Sequence, residues 1–240
     1  MTHDRPEFDR RAPLYNAHAV VQQEAAAWLA VWLPALIDGP ALELGAGTGV
    51  FTRHLAARTS QLVATDASPR MVQAGSGALP KARWLVADAM SPPNGAAYRW
   101  IFSCSLVQWL PDPCATFRRW HDFADNSARL IAGWFIGGTM EPFFRSSPLP
   151  SPCAWRSAAE WQDLLRGAGW RVMRSEVRTF IRRHPDTKSL LREIHNLGAF
   201  VPRGTTPGRL RDAMRNHDLT RRGGDLETPF VFMRVEAQRE

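Results

Sequence analysis

Three glycines in five residues, Gly45, Gly47 and Gly49, follow the apolar run that opens "ALELGAGTGVF". A turn this rich in glycine lets the backbone lie flat against a ligand, because no Cβ stands in the way. Glu43 lies just before the turn. Asp66 ends the apolar stretch "QLVATD", 21 residues after Gly45, and Asp88 ends "ARWLVAD". A carboxylate at the end of the strand after a glycine turn is placed to accept ribose hydroxyls. Asp88, with the Ala89 amide, is placed to meet an adenine edge. One acid at a strand end also reads as a helix cap or turn former. Three acids around one glycine turn read as a nucleoside site.

The spacing narrows the nucleoside. A dinucleotide fingerprint needs glycine at position 50, where this chain has Val50, and a phosphate-binding P-loop needs a Gly-Lys-Ser/Thr segment that is missing here. What remains is a turn of G-x-G-x-G spacing at the carboxyl edge of a sheet.

The elements that carry these residues alternate. Residues 16–33 have an apolar stripe at Val21, Ala25, Trp28 and Trp32 and predict a helix closed by Pro34. Strands are expected at "PALELGAG", "QLVATD", "ARWLVAD", "YRWIFSCS" and "ARLIAGWFI". Helices are expected between them at "VFTRHLAAR", "SPRMVQAGSGAL" and "DPCATFRRWHDFA". This order means right-handed βαβ units and a parallel sheet covered on both faces. Beyond it, residues 137–155 are rich in Pro and Ser and predict an irregular cover. A helix at "RSAAEWQDLLRGAGW" follows. Two last strands, "RVMRSEVRTFI" and "TPFVFMRVEA", flank the helix "DTKSLLREIHNLGAF".

Bulk composition fits one α/β domain. The chain has 240 residues, 45% hydrophobic and 22% charged. Its net charge is +7, and only two of its 30 basic residues are lysine. From Arg166 onward, 15 arginines and one lysine stand against nine acids, so the last third carries the whole excess. Such a face favours an anionic partner. Cys104, Cys114 and Cys153 form no C-x-x-C pair, which argues against zinc or a disulfide framework and for a reducing cytoplasm. No apolar run is long enough to span a bilayer. The ten tryptophans are expected mainly in the core, and His18, His121 and His195 are isolated in sequence and read as structural.

"LELGAGTGVFT", "ATDASPRMV" and "VADAM" resemble the successive cofactor motifs of class I S-adenosylmethionine-dependent methyltransferases. The resemblance covers residues 41 to about 136. It implies a Rossmann-like α/β fold: a seven-stranded, mostly parallel sheet, helices on both faces and an N-terminal helical lid. The implied organisation is a single domain, with lid helices at 1–38, a cofactor core at 39–136, a substrate cover at 137–165 and a basic part at 166–240. The implied cofactor, S-adenosyl-L-methionine, would lie with its methionine part over the turn, its ribose on Asp66 and its adenine by Asp88, Ala89 and Met90. The full implied cofactor set is Arg10, Glu43, Gly45, Ala46, Gly47, Thr48, Gly49, Asp66, Ala67, Met71, Asp88, Ala89, Met90, Ser103, Leu106 and Trp109, with no metal.

"FSCSLVQWLPDP" is similar to the acceptor-side segment of two carboxyl methyltransferase families, one acting on malonyl-acyl-carrier protein in biotin synthesis and one on trans-aconitate. Cys104 stands where those families usually have Asn. "FDRRAPLYNAHAVVQQEAAAWL" and "SLLREIHNLGA" are similar to the lid and a late helix of the malonyl family. This implies Tyr15 and Arg145 as the catalytic pair. Tyr15 would close over the acceptor, or else pack the lid as an aromatic staple. Arg145, one residue out of the family's register, would clamp a substrate carboxylate. A carboxylate is already ionised at neutral pH, so the chemistry needs alignment and exclusion of water rather than a base. The implied partner is an acyl carrier protein or a small carboxylic acid, with trans-aconitate-type chemistry as the alternative. A nucleic-acid enzyme is disfavoured, because the acceptor segment lacks an Asn/Asp-Pro-Pro-aromatic or Pro-Cys sequence. A non-catalytic cofactor-binding domain is a further alternative.

Overall fold

The computed structural model describes residues 8–93, 97–147, 149–199, 205–221 and 223–240. Residues 1–7 of the expected lid, Phe200 at the end of the expected late helix and Arg222 lie outside the described residues.

The apolar runs of the first half pair side by side. β1 (Ala41–Leu44), β2 (Leu62–Asp66), β3 (Arg83–Val86), β4 (Tyr98–Cys104) and β5 (Ala124–Phe135) run parallel. β7 (Leu226–Arg239) is antiparallel to β5, and β6 (Trp170–His184) is antiparallel to β7. The sheet order is β3-β2-β1-β4-β5-β7-β6. The order reverses between β1 and β4, so the carboxyl ends of β1, β2 and β4 open onto the crevice where such sheets hold ligands.

Local chemistry sets the helix starts. Ser68 accepts the Met71 N–H before α4 (Pro69–Ala78), and Asp112 accepts the Ala115 N–H before α5 (Pro113–Phe123). Proline follows each cap, where its missing N–H costs nothing. Ser157 and Glu160 form a reciprocal capping box ahead of α7 (Ala158–Gly167). α3 (Thr52–Ala56) follows the glycine turn directly. Most of the tryptophans are core, as their apolar area requires. Trp120, Trp134, Trp161 and Trp170 are fully buried with Phe117 between the sheet, α5 and α7. The Trp120 and Trp170 indoles donate to the Ala89 and Phe117 carbonyls at 2.8 and 2.9 Å.

The structure departs from the sequence reading at several ends. Residues 16–33 are not one helix. α1 (Phe8–His18) breaks at Ala19 (φ −79°, ψ 42°), and α2 (Val20–Ala30) starts afresh. The apolar stripe, Val21 to Trp32, begins beyond the break, so it supports α2 and says nothing of residues 16–19. β3 stops at Val86, two residues before Asp88, because the chain turns there through Ser91 N–H to the Asp88 carbonyl. The cover contains a short α6 (Glu141–Ser146). α8 (Thr187–Asn196) is the expected late helix, whereas α9 (Pro207–Asp218) lies where no helix was expected. Its sequence is so polar that the apolar period is faint, and Ala213 and His217 are its buried residues.

α2 is fastened to the antiparallel end of the sheet by stacked cations. The Arg234 guanidinium lies 3.9 Å from the Trp28 ring centre and 4.2 Å from that of Trp32, and Arg174 covers Trp32 at 4.1 Å. Arg234 also bonds to Glu176 and to the Trp28 carbonyl. The buried Arg234 contacts are of a kind worth about 2 kcal/mol, and the half-exposed Arg174 contact about 0.5–1 kcal/mol. They hold the lid at its C-terminal end.

Candidate active site

Gly45, Gly47 and Gly49 have φ of 72°, 57° and 93°, a region that side chains with a Cβ rarely enter. A Cβ on Gly45 would stand 2.8 Å from Leu106 Cδ2, and one on Gly49 would stand 2.7 Å from Leu79 Cδ1. A Cβ on Gly47 would meet nothing within 4 Å. The outer glycines therefore pack against protein, and the middle one faces open space.

Asp66 holds this turn. Its Oδ2 accepts the Gly47 N–H and its Oδ1 the Ser68 N–H, both at 2.9 Å. Burial raises its pKa, and those two backbone bonds oppose the rise. Asp88 accepts the Met90 N–H at 2.9 Å and so shapes the turn after β3, while Ala89 is buried beneath Trp120. Met71 is buried at the start of α4, and Ser103 is buried with its hydroxyl on the Leu44 carbonyl. Leu106 backs the glycine turn. Ala46 and Thr48 are buried within the turn, and Ala67 is exposed beside it. Arg10 is exposed on α1.

Glu43 is the most unusual group. It is fully buried, no hydrogen bond of ordinary geometry reaches either carboxylate oxygen, and burial pushes its pKa up to about 8 against a smaller lowering by the nearby Thr52 hydroxyl. An unpaired buried acid costs stability unless a cation or donor arrives. The amino group of a bound S-adenosylmethionine is such a donor. The orphaned Glu43 oxygens and the open space at Gly47 fit that cofactor.

α1 lies across the cradle. The Thr48 hydroxyl donates to Asn16 Oδ1 at 2.6 Å, and the Ser68 hydroxyl donates to Asp9 Oδ1 at 2.7 Å. Arg70 is 3.6 Å from the Asp9 carboxylate. Phe8 packs edge-on against both Tyr15 and Trp109, with centroids 6.2 and 5.6 Å apart. Neither Asp9 nor Asn16 stands out in the sequence as a contact to the cradle, since both look like exposed helix residues.

Behind this lid is an apolar pocket. Its walls are Phe8, Tyr15, Gln22, Ser105, Gln108, Trp109, Phe135, Thr139, Met140, Phe144, Pro152, Trp155, Ile194, Ala199 and Phe230. Two of these, Ser105 (φ 61°) and Met140 (φ 53°), are the only described non-glycine residues with left-handed backbone. Such strain persists where surrounding structure enforces it, and it gathers at functional sites. Three polar atoms of the walls are buried without a partner: Gln22 Oε1, Gln108 Oε1 and Trp155 Nε1. Gln108 donates its Nε2 to the Ser105 carbonyl at 2.9 Å, which fixes its amide orientation. Burial raises the Tyr15 hydroxyl pKa and pushes the neighbouring Cys104 thiol up to about 12.

The structure thus brings Tyr15, Trp109 and the cradle together. It does not bring Arg145 to them. That side chain is 77% exposed on α6, ion-paired with Glu141 one turn away. No arginine or lysine lines the pocket among the described residues. Trp155 was missed by the sequence reading, because it lies in the Pro- and Ser-rich cover where nothing in the pattern marks a wall. Among the described residues no cluster of acids, histidines and cysteines is arranged for a metal, and no helix is long and apolar enough to cross a membrane.

Residues 41–126 match the model of a methyltransferase domain family. Among curated proteins, the malonyl-[acyl-carrier protein] O-methyltransferase of Herminiimonas arsenicoxydans is 28% identical over 204 residues, 80% of this chain and 75% of that one. The biotin biosynthesis bifunctional protein BioCD of Bordetella avium is 29% identical over 238 residues, 94% of this chain but only half of that protein. A trans-aconitate 2-methyltransferase of Methylobacterium radiotolerans is 30% identical over 106 residues, 43% of this chain and 41% of that one. Among solved structures, a putative methyltransferase of Bacillus halodurans superposes with a TM-score of 0.65 at 12% identity, covering 90% of this chain and 98% of that one. The sheet order, the glycine cradle with its orphaned acid and the domain match agree: the chain is an S-adenosylmethionine-dependent methyltransferase of the class I fold.

Proposed function

We propose that this enzyme methylates a free carboxylate, with malonyl carried on acyl carrier protein as the preferred acceptor and biotin synthesis as its setting. The observation that carries the carboxylate reading is the chemistry of the pocket walls. Tyr15 is the one titratable group among the described lining residues, and burial keeps its hydroxyl protonated at neutral pH. The Cys104 thiol beside it is protonated too. A hydroxyl or ammonium acceptor needs a base to release its lone pair, whereas a carboxylate arrives ionised.

When bound, the cofactor supplies a methyl group activated by its sulfonium. The chain's own part is to hold, orient and dry. The Gly45–Gly49 turn and Asp66 hold the nucleoside, and Glu43 takes the amino group. Tyr15 Oη–H and Trp155 Nε1–H are neutral donors for the carboxylate oxygen that does not attack. Neutral bonds orient a carboxylate with less quenching of its charge than an arginine pair imposes. The apolar walls and the α1 lid exclude water. Gln22 and Gln108 carbonyl oxygens suit amide N–H groups of an acyl arm.

The malonyl assignment is supported by the similarity to the Herminiimonas enzyme and by the lid segment that carries Tyr15. The test compares methyl ester formation on malonyl-carrier protein, free malonate and trans-aconitate. The carrier-bound acid should have the highest kcat/KM. Tyr15→Phe should lower kcat about 10-fold or more, within the range of a positioned hydrogen bond to the reacting group, and leave cofactor Kd unchanged. Better use of trans-aconitate would move the assignment to that class.

A further inference from the structure

The antiparallel end of the sheet leaves β6 as its edge, 15 residues long. Among the described residues, no backbone group between Arg171 and His184 bonds outside the β6–β7 ladder. Edge strands of this length are usually blunted, because their free N–H and C=O groups template pairing with another strand. Here a bulge at Val172/Arg174 and five arginines blunt the edge in part, but exposed apolar residues remain along it. Met173, Val177 and Ile181 recur every fourth position and are 48, 48 and 46% exposed. Three of the eight large apolar residues exposed in the described chain therefore lie along one strand.

We infer that two copies of this chain join through antiparallel pairing of their β6 edges about a two-fold axis at Val177. The charges select the occupant and the register. Arg171, Arg174, Arg182 and Arg183 each have a carboxylate within 4 Å inside the chain: Glu240, Glu236, Glu193 and Glu227. Among the described residues Arg178 has none, and its guanidinium rests 5.1 Å from the Phe180 ring centre. Glu176 gives one oxygen to Arg234 and is half exposed.

An axis at Val177 sets Glu176 of each copy opposite Arg178 of the other. It sets Val177 against itself and Ser175 against Thr179, while Met173 sits in the bulge outside the paired segment. Moving the axis to Arg178 places Arg178 on itself and Arg174 on Arg182. Moving it to Glu176 places Glu176 on itself and Arg174 on Arg178. An axis at Thr179 leaves Arg178 facing Phe180 rather than a carboxylate. An axis between residues turns the apolar face of one copy onto the charged face of the other. Directly opposed like charges destabilise a strand pair and opposite charges stabilise it. A foreign acidic strand would satisfy Arg178, but it would leave Glu176 facing acids.

The segment Arg174–Phe180 lies clear of the bulge at Val172/Arg174 and pairs whole. Seven residues of edge make a small interface, so the affinity expected is roughly micromolar or weaker. The described walls of the pocket include no β6 residue, although Phe180 pairs with the wall residue Phe230. The catalytic reading and this one therefore fail separately.

The experiment is sedimentation velocity on the full chain over a dilution series spanning the micromolar range, in low and high salt. The wild-type chain should move from monomer to dimer, with the dimer weakened by salt. Arg178→Glu and Val177→Lys should each abolish dimer while leaving methyl transfer and thermal melting unchanged. Val177→Cys, treated with a mild thiol oxidant, should give a covalent dimer, and Thr179→Cys should not. A wild-type chain monomeric throughout, or a dimer indifferent to both charge variants, overturns the inference. Crosslinking through Thr179→Cys in place of Val177→Cys overturns the register.

Discussion

The cofactor cradle and the acceptor pocket share the β4 end and the α1 lid, but they are assembled differently. The cradle comes from three consecutive strand ends, with backbone N–H groups and glycine φ angles as its working parts. The pocket gathers walls from Phe8 to Phe230, on both lid helices, the β4 and β5 ends, the cover, α8 and β7. The cradle's parts are few and each tolerates one residue type. The pocket's are many, mostly apolar and interchangeable. On the proposed function, cofactor recognition would rest on local geometry, and acceptor choice on how distant segments pack.

The sharpest break in this comparison is at the glycines. Gly45→Ala and Gly47→Ala both force an alanine to positive φ, at a cost of about 1–2 kcal/mol each. Gly45→Ala adds a clash with Leu106, so its damage should show as a lower melting temperature. Gly47→Ala meets no protein atom, so its damage should show as cofactor affinity, falling about 100-fold as the methyl takes ligand space. Titration calorimetry and thermal melting on both variants check this. Retained affinity in Gly47→Ala would mean the cofactor lies elsewhere.

Glu43 gives the next effect. Its folded pKa of about 8 lies above its ordinary value of 4.5, so the native state holds a proton that the unfolded chain has lost. The stability linked to this group is complete below pH 4.5 and is lost as pH rises through about 8. Glu43→Gln should flatten that slope. At pH 7, cofactor binding should release a proton as Glu43 ionises beside the arriving amino group. Calorimetry in buffers of different ionisation enthalpy would show it, and identical heats in all buffers would remove Glu43 from this role.

The smallest effects separate Trp155 from Arg145. Trp155→Phe keeps the wall and removes one donor, so kcat/KM should fall by about 1 kcal/mol, roughly 5-fold, with cofactor Kd unmoved. Arg145→Ala loses only an exposed pair one helical turn apart, worth about 0.3–0.5 kcal/mol of stability, and should leave turnover unchanged. Turnover lost in Arg145→Ala would return that arginine to the acceptor.

The same contrast explains what could be read from the sequence. The strands, the cradle and its acids were legible because strand ends, glycine spacing and acid positions are local patterns. Arg145 was misplaced because one residue of register on a short helix turns a side chain from pocket to solvent. Trp155 and the Asp9 and Asn16 contacts were illegible because they depend on where the cover and lid land, which no local period records. The break at Ala19 was hidden because the apolar stripe begins only at Val21, so no period speaks for residues 16–19.

The bonds from Asp9 to Ser68 and from Asn16 to Thr48 impose an order in time. With α1 bonded across both the glycine turn and the first turn of α4, a nucleoside held on the cradle would have to enter and leave with the lid lifted. The acceptor pocket forms only once Tyr15 and Phe8 have come down. On the proposed function, turnover should then be sequential: nucleoside first, acceptor second, methylated product out, spent nucleoside last. Product-inhibition kinetics would show it, with spent nucleoside competing with fresh nucleoside but not with acceptor.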